Sequence, residues 1–150
     1  MSRLGVARLE ALIEALDREL NLTDSTLVDV KGCQFAAQAR TATADGTGTG
    51  TIADGESFIT VTSGGANTIM ILPTPTPGTI VWLSETGSTG YELRSSAPAS
   101  VGINGGPGVS AESAIAGGIT LVRCVCVSAT LWICTQFDAD ADESKVEAAA

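Results

Sequence analysis

Two hydrophobic rhythms divide this chain. Over residues 3–20, Val6, Leu9, Ile13, Leu16 and Leu20 recur at steps of 3, 4, 3 and 4, which places them on one stripe of an α-helix. Glu10, Glu14, Asp17 and Arg18 fall off that stripe, and Glu14 with Arg18 makes a favourable i, i+4 pair. The spacing therefore predicts an amphipathic helix about 27 Å long. A helix of that length is marginal alone in water. Burying its five seam residues would contribute on the order of 8–15 kcal/mol before ordering costs, so the seam calls for a partner surface, either the chain's own β region, further copies, or another protein.

From residue 57 the rhythm shortens. "SFITVT", "NTIMIL", "GTIVWLS", "YELRSS", "SVGI", "ITLVRCVCV" and "LWICTQF" are β-prone runs, separated by "SGGA", "PTPTPG", "ETGSTG", "APA" and a longer loop at 104–118. Such punctuation predicts a small antiparallel barrel or sandwich. Pro73, Pro75 and Pro77 mark a connection or a sheet edge, because they cannot donate ladder hydrogen bonds. Residues 120–136 read as a hairpin turning at Ser128–Thr130, with Val122, Cys124 and Cys126 on one face and Val125 and Val127 on the other. A hairpin apolar on both faces is buried centrally, or is half-buried and covered by a neighbouring subunit.

The resulting organisation is a helix over 1–24, a connector and Gly/Thr-rich arm over 25–56, a β domain over 57–137 and an acidic tail over 138–150. The connector carries one candidate strand, the short apolar run Leu27–Val30, and the arm "TATADGTGTGTIADGE" lacks the Gly-Lys-Ser/Thr ending of a phosphate-binding loop. The tail reads as solvated and mobile, unless Val146 and its flanks dock as a short helix.

Composition narrows the chemistry. The 150 residues are 44% hydrophobic but only 4% aromatic, and the net charge is -9. Eight scattered basic residues form no phosphate-neutralising cluster, which argues against nucleic acid and against an anionic membrane surface. The acidic residues within the N-terminal apolar pattern are unlike a secretory signal, and thiols made in a reducing compartment stay reduced. Histidine is absent, which removes Ser-His and Cys-His nucleophile pairs, the usual proton shuttle and His-containing metal sites.

The remaining candidates weigh toward structure. Cys124, Cys126 and Cys134 lie close together, with Cys33 as a fourth thiol. Cys-x-Cys on a regular strand lacks zinc-knuckle geometry and the flanks are apolar, so packing outranks a disulfide, and both outrank metal or redox chemistry. Asp138, Asp140 and Asp142 imitate the start of a calcium loop, but Glu143 and Ala149 stand where Gly and the bidentate Glu belong. Glu85, Glu92 and Glu112 show no local sign of an acid/base pair, and no G-x-S-x-G elbow is present. Trp82 and Tyr91 would stack on sugars if exposed, but at alternating strand positions they read as core. Nothing in this inventory argues for an enzyme, and no cofactor is called for.

"ITVTSGGANTIMILPTPTPGTIVWL", "GYELRSSAPASVGINGG" and "AESAIAGGITLVRCVCVSATLWIC" together resemble the head decoration, or cement, proteins of tailed bacteriophages. The resemblance spans roughly 57–137 and rests on overall texture. It implies a non-enzymatic virion protein, made in the host cytoplasm and assembled as a homotrimer on the outer capsid surface, where it clamps the major capsid protein. The seam residues Val6, Leu9, Ile13, Leu16 and Leu20 are then the expected self-association or capsid-docking face. The competing expectation is a phage fibre or lectin-like module that recognises host glycan through Trp82 and Tyr91.

Overall fold

The computed structural model describes residues 35–85, 87, 89–105, 112–119 and 121–148. The helix expected over 3–20, with its seam Val6, Leu9, Ile13, Leu16 and Leu20, and the run Leu27–Val30 lie outside the described residues.

The described chain is mainly β, arranged as a sandwich-like pair of sheets and not closed into a barrel. Its strands are β1 (Ala37–Thr41), β2 (Phe58–Thr62), β3 (Ile69–Ile71), β4 (Ile80–Glu85), β5 (Tyr91–Arg94), β6 (Gly102–Ile103), β7 (Glu112–Ile115), β8 (Leu121–Ser128), β9 (Leu131–Phe137), β10 (Glu143–Lys145) and β11 (Glu147–Ala148). The larger sheet runs β1-β2-β4-β8-β9-β10, with β6 also paired to β9, and the smaller runs β11-β7-β5-β3.

The sheets are mixed, which corrects the antiparallel expectation. β1/β2, β2/β4, β3/β5 and β6/β9 are parallel pairs. The physical reason lies in where the turns lead. Parallel neighbours need a crossover, and for two of these pairs the crossover is a strand of the opposite sheet: the chain passes from β2 through β3 to β4, and from β3 through β4 to β5. Short Gly- and Pro-rich turns that read as hairpins are thus mostly passages between layers. The expected hairpin at Ser128–Thr130 is real, joining β8 to β9 in antiparallel register with a bulge between Cys126 and Ser128.

Residues 37–56 belong to this β unit, not to a separate arm, so the unit begins well before the expected boundary at 57. After β1 the arm runs along the open edge of β3, with Thr43 bridged to Ile69 and Thr51 to Ile71, and it buries Ala42 and Ile52. A bidentate Arg40–Glu56 ion pair ties β1 to the turn before β2, and the Ala53 N–H adds a 2.9 Å bond to the same carboxylate.

The acidic C-terminus is a second correction. Asp138 accepts hydrogen bonds from the Asp140 and Asp142 N–H groups at 2.9 and 3.0 Å, closing the β9–β10 turn. β10 then pairs with β9, Val146 buries its side chain, and β11 joins the smaller sheet. Val146 and its flanks therefore dock as strands that lace the two layers, where the sequence suggested a solvated tail or a helix.

One core fills the space between the sheets. Ile59, Val61, Val81, Leu83, Val122, Cys124, Cys126, Trp132 and Cys134 face inward from the larger sheet, and Met70, Tyr91, Leu93 and Ile115 from the smaller. The alternation of buried and exposed positions along β4 and β8 follows the period of two of a strand. The turn into β5 requires Gly90: its φ is +73°, and a β-carbon there would sit 2.4 Å from the Ile115 carbonyl oxygen.

Candidate functional site

The same alternation leaves a second apolar surface, on the outer face of the larger sheet. Strand register sets Phe58, Trp82, Arg123 and Thr135 side by side in one row across β2, β4, β8 and β9. The next row holds Ile80, Val125 and Ile133, and Leu121 lies opposite Phe137. Phe35, Ile80, Val127 and Ile133 are 49%, 44%, 51% and 40% exposed. Large apolar side chains gathered on one sheet face mark an interaction surface more strongly than the same residues scattered singly.

Arg123 sits in the middle of this face without breaking its apolar character. Its guanidinium lies 6.0 Å from the Trp82 ring centre and 5.8 Å from that of Phe137, within reach of cation–π attraction. It also donates to Glu143 across 3.0 Å. The charge is matched locally by a carboxylate of β10.

At one end of the face is a depression of about 410 Å³, lined in part by Phe35, Glu56, Ile80 and Trp82. Glu56 is held below the usual carboxylate range, chiefly by its hydrogen bonds to Arg40, so it stays ionised in its pair with Arg40. Trp82 is half-buried at this depression, whereas Tyr91 is buried in the core. The two aromatics named as a sugar platform therefore do not flank a common groove.

The thiols lie on the opposite side of the same strands. Cys124, Cys126 and Cys134 are free and buried. Burial pushes the Cys124 thiol well above its usual range, and burial likewise raises Cys126. Both shifts disfavour the nucleophilic thiolate. Among the described residues, no group of three or more Cys, Asp or Glu side chains is arranged to hold a metal ion. Glu85 closes β4, Glu92 lies within β5 and Glu112 within β7. The Glu85 Oε1 atom accepts the Gly90 N–H at 3.0 Å.

The sequence signal for the outer face was the two-sided apolar pattern of the β8–β9 hairpin. Its extension through Ile80 and Trp82 depended on β4 lying next to β8, which strand patterning does not specify. None of the described helices is long and apolar enough to cross a membrane. Compared with known proteins, the chain matches no family model, no curated sequence and no solved structure.

Proposed function

We propose that this chain is a non-enzymatic structural protein that decorates and stabilises the outer surface of a phage capsid as a homotrimeric cement protein. The observation that carries the reading is the outer face of the larger sheet, apolar across four strands. Its occupant is a second copy of this chain. A protein of net charge -9 repels its own copies unless the contact face is charge-balanced. This face meets that condition, because its central Arg123 is already paired with Glu143. Binding only to the assembled shell stabilises it by linkage, and linked copies multiply weak contacts through effective concentration. The acidic surface disfavours packaged DNA as a partner, which suits the outside of the shell.

Ile80→Asp with Ile133→Asp places two carboxylates on exposed positions of that face while sparing the core. Native mass spectrometry is expected to show a trimer for the parent chain and a monomer for the double variant, with unchanged circular dichroism. Co-sedimentation with capsid shells lacking the protein is expected for the parent and at least tenfold weaker for the variant, since losing avidity costs that much or more. Ile13→Asp with Leu16→Asp tests the seam separately and is expected to lose shell binding. A double face variant that remains a trimer overturns the role of the sheet face. A parent chain that is monomeric and stays in the supernatant overturns the cement reading.

A further inference from the structure

From the pairing of β8 with β9 we infer that Cys124 and Cys134 form a built disulfide site, a dithiol placed to close into an intramolecular bond without moving either strand. The two residues are direct cross-strand partners. Both are fully buried, at 0% exposure, and both belong to the one core between the sheets.

The hydrogen-bond pattern defines the kind of pair. Cys126 exchanges backbone bonds with the β4 side, donating to the Thr79 carbonyl and accepting from the Gly78 N–H, each at 2.9 Å. Backbone groups alternate along a strand, so Cys124 also turns its N–H and C=O toward β4. On β9, the Cys134 N–H and C=O are both engaged by the Asn104 side chain, on the edge away from β8. The two cysteines thus share no backbone bond with each other. In such non-hydrogen-bonded pairs the Cα atoms lie about 4.5 Å apart, inside the span of about 4.4–6.8 Å that disulfides bridge.

Cys126 is not a competitor. It faces Trp132 across the ladder, and its thiol donates to the Ser128 carbonyl at 3.1 Å.

The co-reactant is a small-molecule disulfide such as oxidised glutathione. The thiolate of one cysteine attacks a glutathione sulfur and expels one glutathione thiolate. The second cysteine then attacks the mixed disulfide and expels the other. Two protein thiols are oxidised, one disulfide is reduced to two thiols, and the protein loses two hydrogens. Since both sulfurs are sealed in the core, the exchange belongs to the folding chain, before the sheets close over the hairpin. The inference is independent of the capsid reading, because it concerns only this hairpin.

The test refolds the full chain from denaturant in a reduced/oxidised glutathione buffer, alkylates free thiols under denaturing conditions and maps the result by tandem mass spectrometry. Before alkylation the expected product is about 2 Da lighter than the reduced chain; after it, Cys124 is joined to Cys134, and Cys33 and Cys126 are alkylated. Its urea midpoint lies above that of the reduced protein, and Cys126→Ala behaves in the same way. Four alkylated cysteines, a glutathione adduct retained on Cys124 or Cys134, or a bond that includes Cys33 or Cys126 each overturns the inference.

Discussion

Replacing Asn104 by Ala is expected to lower stability by about 3–5 kcal/mol, a loss out of scale for a half-exposed residue in a connection. Asn104 follows β6, and its N–H donates to the Trp132 carbonyl at 2.8 Å. Its backbone then turns away with φ at +54°. From that point the side chain does the pairing: Oδ1 accepts the Cys134 N–H at 2.7 Å, and Nδ2 donates to the carbonyls of Cys134 at 2.8 Å and Val146 at 3.0 Å. One amide thus fills the gap in the ladder between β6 and β10, and pins the residue at which the C-terminus crosses between sheets.

Alanine removes all three bonds and leaves the Cys134 N–H without its acceptor, at roughly 1–3 kcal/mol for an orphaned group. It also replaces a residue whose short polar side chain tolerates left-handed backbone with one that does not, at up to about 1–2 kcal/mol. Asn104→Gly retains the backbone freedom and separates the two contributions. Urea melts of the parent, Ala and Gly chains measure both. A loss below about 1 kcal/mol in the Ala variant would mean that the ladder does not depend on this amide.

Raising the pH from 8 to 11 under reducing conditions is expected to lower stability, by at most about 4 kcal/mol. Burial is the first cause at both groups involved. It holds the Tyr91 phenol well above its usual 10.0, reinforced by the negative charge that Cys124, Glu85 and Cys134 can carry, and it holds the Cys124 thiol well above its usual 9.0, reinforced by its contact with Cys134. The unfolded chain releases these protons near the usual values, while the folded chain keeps them. The folded state then binds more protons, so stability is complete below about pH 9 and falls above it, by at most about 1.4 kcal/mol per unit for each group in turn.

Tyr91→Phe removes one of the two contributions. It also removes a buried hydroxyl that has no hydrogen-bond partner among the described residues, so this variant is expected to match or exceed the parent at pH 8 and to lose less by pH 11. Urea midpoints at the two pH values decide the matter. Equal midpoints for the parent at both would contradict the burial of these groups.

Much of the β unit was legible as pattern. The runs "SFITVT", "GTIVWLS", "ITLVRCVCV" and "LWICTQF" became β2, β4, β8 and β9, because alternation along one strand is a local property of side chains and backbone. The hairpin at Ser128–Thr130 and the shared inward face of Val122, Cys124 and Cys126 were legible for the same reason. The thiols read as buried apolar side chains, and their burial agrees.

β1, β7, β10 and β11 were not legible, since each is short, rich in polar or small residues, and a strand only because an open edge stands ready to pair with it. Asn104 looked like the start of a loop, as nothing in "INGG" shows that Cys134 lacks a strand partner at that level. The outer face was half legible: two-sided hydrophobicity in β8 and β9 could be read, but its union with Ile80 and Trp82 required knowing which strands are neighbours.

The sequence by itself determined which side chains alternate, where turns interrupt them and which chemistry the absence of histidine removes. Tertiary structure alone decided the parallel pairing, the capture of the arm and the C-terminus, and the facing of Cys124 with Cys134. Pairing between strands is made by backbone groups common to all residues, so its partners are chosen by the closing of the two sheets over one core.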